Sequence, residues 1–145
     1  MKIKKYPLLG SAILSSFLLL GACGDKEEVS EAPDKETAQS EFGFQSFELD
    51  VDSAEQKDAI DASFDIDVSE TEAEYVNQLE SINLSGNDAY AELEPIFKEI
   101  GITKDMSKEE TIEKVTQAFG IEDYKEFELE VEFSDGDTQE FSDMK

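Results

Sequence analysis

The stretch that decides the fold is Glu126-Phe127-Glu128-Leu129-Glu130-Val131-Glu132-Phe133, followed by Ser134-Asp135-Gly136. Acidic and apolar residues alternate here without a break, and a period of two marks a strand buried on one face only. The turn residues at its end, with Phe141 beyond them, make it the first arm of a hairpin. A two-residue Asp135-Gly136 loop would pair Val131 with Glu140 and send Phe141 to the glutamate face. A three-residue loop, a type I turn with Gly136 in the left-handed position, pairs Leu129 with Phe141 and keeps both faces consistent. The spacing therefore predicts the three-residue loop.

Two helices are expected before the hairpin. Ser107-Lys108-Glu109-Glu110 is a capping box; Ile112, Val115 and Phe119 then face the core, and Gly120 ends the helix. Ser85-Gly86-Asn87-Asp88 opens the other helix, with Ser85 as N-cap. Its apolar stripe is Ala89, Leu93, Ile96, Phe97 and Ile100. Gly101 is its expected stop, with Ile102 folding back on Phe97 as in a Schellman motif. Pro95 removes a hydrogen bond inside this helix and is expected to kink or divide it.

Further back the alternation returns. Phe47, Leu49 and Val51 share one face of a strand over Phe47–Asp52, with Phe42 and Phe44 packing near its start. Ile60, Ala62, Phe64, Ile66 and Val68 share one face of a second strand, opposite Asp61, Ser63, Asp65 and Asp67. Residues 69–83 read two ways. Ser69 and Glu72 resemble a capping box, with Ala73, Val76, Leu79 and Ile82 at helical spacing. Thr71 to Asn77 also forms a strand with Ala73 and Tyr75 inward, and this reading, running into an irregular turn, is the one adopted. The order is then β-β-β-α-α-β-β: an α+β fold, one two-layer domain over 42–143, with a mostly antiparallel sheet and two helices on one face.

The chain has 145 residues and a formal charge of −25, with no histidine. From Cys23 onward nine lysines face 37 acids. Such a chain repels phosphates, which excludes nucleic acid as a partner. Ten phenylalanines and four tyrosines are too many apolar anchors for a wholly disordered chain.

The N-terminal 22 residues read as an export signal. Lys2, Lys4 and Lys5 form a basic start, and Leu8 to Leu20 is an apolar run too short to span a bilayer. Leu20-Gly21-Ala22-Cys23 resembles the lipobox of bacterial lipoproteins, and Cys23 is the only cysteine. That resemblance implies cleavage before Cys23, diacylglycerol on its sulfur, and a chain held to the membrane by a lipid anchor. Residues 24–41 contain one large aliphatic residue, Val29, together with Pro33 and many charges, so 23–41 is expected to be a disordered acidic tether.

The remaining chemistry lies in carboxylates. Glu48, Asp50, Asp52, Asp61, Asp65, Asp67, Glu126, Glu128, Glu130 and Glu132 project from the sheet face opposite the helices if the alternation holds. Like charges opposed on neighbouring strands are unfavourable, so this face would gain from salt, divalent cations or a basic partner. A secondary reading makes Asp50, Asp52, Asp65, Asp67, Glu128 and Glu130 a low-affinity cation site. The segments starting at Asp50 and Asp65 begin like EF-hand loops. Both lack the glycine at the sixth position (Glu55, Glu70) and the glutamate at the twelfth (Asp61, Val76). Without histidine no Ser-His-Asp triad can be built, and the one thiol is expected to be acylated, so no enzyme and no cofactor is expected.

Three features in order resemble the YusW-like family of bacterial lipoproteins: the lipobox, Ile82-Asn83-Leu84-Ser85-Gly86-Asn87-Asp88-Ala89 leading into a helix, and the closing hairpin. The resemblance covers roughly 42–143 and mildly supports the strand at 71–77. It implies a Gram-positive, Bacillus-like host and an anchor in the outer leaflet of the cell membrane, hence an extracytoplasmic domain. It supplies no activity and no functional residue. A binding domain for an envelope protein or component is the function these observations lead to expect.

Overall fold

A computed structural model of the chain describes residues 27–30, 32, 34–67 and 70–145. The elements run β1 (Glu27–Glu28), α1 (Lys35–Phe42), β2 (Phe44–Asp52), β3 (Ile60–Ile66), β4 (Thr71–Asn77), β5 (Ile82–Ser85), α2 (Gly86–Ile100), α3 (Lys108–Ala118), β6 (Glu126–Phe133) and β7 (Thr138–Met144). The strands form one antiparallel sheet in the order β1-β4-β3-β2-β6-β7, and β5 also pairs with β4. The helices cover one face. This is the α+β, two-layer architecture expected from the alternating strands, with three elements added.

The core is aromatic. Phe97 of α2 points into the sheet, with ring centroids 5.0 to 5.6 Å from Phe42, Phe44, Phe47 and Phe64. It is fully buried, as are Leu49, Leu93, Val115, Phe127 and Val131. The expected inward residues of β2, β3, β4 and β6 are all buried. Val68 and Ser69 lie outside the described residues. The hairpin has the predicted register, Leu129 opposite Phe141. Gly136 takes φ +87°, a conformation that would strain any residue carrying a Cβ, and Lys104 binds the turn through Asp135 and, at 2.7 Å, Asp137.

The structure corrects the sequence reading in four places. The domain starts earlier than residue 42, because β1 pairs with β4, Val29 donates to the Thr71 carbonyl at 2.7 Å, and α1 follows. Val29 and Ala38 are buried, so residues expected in the tether belong to the fold. Composition missed this because two small apolar contacts suffice where the sheet supplies the backbone partners. The expected signal and Cys23 lie outside the described residues.

Second, the connection before α2 contains β5, paired with β4 through Ser85 and Glu74. Ser85 stands at the N-cap position of α2 as expected, but its hydroxyl makes no cap bond, and its backbone is paired in β5. Third, α2 is not divided at Pro95, which lies on the exposed side, where the Ala91 carbonyl left without its partner can meet water. Fourth, α2 ends at Gly101 with a single bond from the Gly101 N–H to the Phe97 carbonyl; this is the simpler left-handed stop rather than the full Schellman pair. The Ser107 cap is as expected, its hydroxyl accepting from the Glu110 N–H at 3.2 Å.

Candidate functional site

The face of the sheet away from the helices is lined with acids. Ladder pairing places them in rows across the strands. Glu74, Ser63, Glu48, Glu130 and Glu140 form one row, and Val76, Asp61, Asp50, Glu128 and Ser142 the next. Glu72, Asp65, Ser46, Glu132 and Thr138 form a third. Asp52 and Glu126 extend the pattern toward the β2–β3 turn. None of these outward positions is a lysine. A β-bulge at Gln45 and Ser46 turns Phe44 inward and lets the Gln45 amide donate to Glu132.

Like-charged side chains thus stand opposite one another at the spacing of paired strands, Asp50 between Asp61 and Glu128, and Glu48 beside Glu130. The Asp50 carboxyl is pushed up to about 6. Desolvation is the main cause, followed by repulsion from Asp58, Asp61, Asp52 and Glu128. A groove of about 350 Å³ crosses this face between Glu48, Asp50, Glu128, Glu130 and Glu140.

At one end of the face the β2–β3 connection adds a further carboxylate. Ser53 N–H closes a turn on the Gln56 carbonyl at 2.8 Å, and Asp58 follows at φ +49°. The Asp58 N–H donates to Asp52 Oδ1 at 2.7 Å, which folds Asp58 back over the strand. Carboxylate oxygens of Asp50, Asp52 and Asp58 consequently lie within 4.8 Å of one another. Lys57 Nζ approaches Asp58 at 3.9 Å from the solvent side.

Of the six carboxylates considered for a cation, Asp50 and Asp52 are brought together, with Glu128 opposite Asp50 and Glu130 one row away. Asp65 and Asp67 are not part of that group. Asp65 stands four residues along β3 from Asp61, about 13 Å away, opposite Glu72. Asp67 lies past the strand end, its N–H bonded to the Glu70 carbonyl at 2.9 Å. Asp58 was missed by sequence reasoning. Its signal was available: an aspartate just before a strand tolerates the left-handed conformation that a tight connection needs.

Among the described residues no helix is long and apolar enough to cross a membrane. A sequence model described as YusW-like protein matches residues 45–135, from the bulge in β2 to the hairpin turn. The chain belongs to the YusW-like family. The uncharacterized protein YusW of Bacillus subtilis (strain 168) is 23% identical over 134 residues, 89% of this chain and 92% of that protein. The similarity to YusW thus extends beyond 45–135, while β1 and α1 fall outside the matched part of the family model. No solved structure matches the chain.

Proposed function

We propose that this YusW-like chain is a lipid-anchored extracytoplasmic protein whose domain binds a cationic partner, an envelope protein segment or other envelope component, through its acid-lined sheet face, without catalysing a reaction. The observation that carries this reading is the rows of opposed carboxylates on a face that, among the described residues, no helix covers. Folding places like charges where they repel, and a complementary surface would relieve that repulsion on binding. The export signal and the lipobox at Cys23 support the anchor and the location at the cell membrane. The absence of histidine and the open arrangement of the carboxylates along strands support binding over catalysis.

A second reading, low-affinity binding of a divalent cation, is favoured by one observation. Asp50, Asp52 and Asp58 present oxygen ligands close together beside Glu126 and Glu128 in a groove of about 200 Å³, and oxygen-only donor sets suit calcium and magnesium. Calorimetry with each cation separates the two. No heat, and no gain in melting temperature beyond that given by sodium chloride of equal ionic strength, removes the cation reading. A saturable heat lost in Asp52→Asn supports it.

A further inference from the structure

The start of the fold has a consequence for how the domain is held. β1 begins at Glu27, only four residues after Cys23. Three ties secure the segment that follows. Glu27 and Glu28 pair with Ala73 and Glu72 of β4. Val29 is buried and its N–H donates to the Thr71 carbonyl. Ser30 and Asn87 then exchange two hydrogen bonds, Ser30 N–H to Asn87 Oδ1 and Asn87 Nδ2 to Ser30 Oγ, each 2.9 Å, clasping the segment to the start of α2.

Four residues reach at most about 14 Å even when fully extended. A tether running to residue 41 would reach about 60 Å on the same rule. The sheet itself extends five strand spacings from β1 to β7, about 24 Å. The reach is less than twice the Debye length of about 8 Å at physiological ionic strength, so the β1 edge stays close enough for surface charge to bear on how the domain is turned. Anionic headgroups would repel its carboxylate face and also the α2–α3 layer, where Lys98, Lys104, Lys108 and Lys114 stand among eight acids, so neither face suits contact with the lipid.

We infer that the lipid anchor holds the domain against the bilayer by its β1 edge, with the β7 edge outermost and the acid-lined face kept off the lipid. The inference rests on the anchor reading of Cys23. It adds a geometry: a partner meets the acidic face at the membrane surface, and reaches it from the β7 side.

The test uses the full mature chain in vesicles of phosphatidylethanolamine and phosphatidylglycerol carrying a headgroup quencher. With Cys23 acylated, a fluorophore can be placed through Glu28→Cys beside β1 or Ser142→Cys on β7, both exposed. Quenching at 28 is expected to exceed that at 142 by at least a factor of about two. A flexible Gly-Ser insertion of about 14 residues between Lys26 and Glu27 should remove the difference. Equal quenching at both positions without the insertion, or a difference that survives it, overturns the geometry while leaving the anchor standing. Mass spectrometry on the same samples reads the anchor separately: an N-terminal peptide without diacylglycerol on Cys23 overturns both.

Discussion

Replacing Asp50 by asparagine should stabilise the domain at neutral pH. Asp50 titrates near 6 instead of its usual 3.8, chiefly because neighbouring atoms desolvate it and secondarily because Asp58, Asp61, Asp52 and Glu128 repel its charge. A gap of about two pKa units corresponds to about 3 kcal/mol. The side chain is solvent-accessible, and screening reduces the usable part to about 1 kcal/mol. The sign follows from the direction of the shift. Folding favours the protonated form, so the stabilising contribution of Asp50 is complete below pH 3.8 and is lost as pH rises through about 6. Asp50→Asn, which carries no charge at any pH, should therefore gain about 1 kcal/mol over wild type at pH 7.5. For a domain of this size that is about 3 to 6 °C in melting temperature. At pH 3.5 the gain should vanish, and raising sodium chloride at pH 7.5 should shrink it. Urea unfolding at the two pH values measures this directly. An asparagine variant that is less stable than wild type at pH 7.5, or equally advantaged at both pH values, would refute the claim that the acidic face is electrostatically strained.

Phe97→Ala should cost about 3 to 5 kcal/mol, because the ring sits at the centre of four others with no exposure; calorimetry should show a melting point lowered by well over 10 °C. Gly136→Ala should cost about 1 kcal/mol through strain at φ +87° alone, since a Cβ there meets nothing within 4 Å; denaturant midpoints check it. Asn87→Ala removes both bonds to Ser30 and should raise amide exchange at Val29 at least tenfold while leaving exchange at Leu49 unchanged, as read by hydrogen-exchange mass spectrometry.

What could be read from the sequence was whatever strict periodicity or a turn rule specifies. The Leu129–Phe141 register followed because only a three-residue loop keeps the apolar face on one side, and Thr71–Asn77 is a strand with Ala73 and Tyr75 inward as expected. The acidic face came from the same alternation. What escaped the reading depends on contacts distant in sequence. Glu27 to Ser30 carry no pattern of their own and are ordered by β4 and Asn87. Phe44 and Phe47 face the same way because of a bulge, which period-two counting does not foresee. Asp58 joins Asp50 and Asp52 through a left-handed turn closed by its own N–H. Ser85 is both the N-cap residue of α2 and the last residue of β5, a strand that a four-residue segment ending in a helix start conceals.

The proposed function requires the acidic sheet face to be the surface that is used. The most direct measurement is in-cell crosslinking followed by capture, run side by side for wild type and a variant carrying Glu48→Gln, Glu128→Gln and Glu130→Gln. The three glutamates are exposed and face acidic partners on adjacent strands, so their neutralisation should leave the fold at least as stable. A defined crosslinked species is expected with wild type, falling at least tenfold with the variant at equal abundance and equal membrane retention. The same species at the same yield from both would contradict the proposed function.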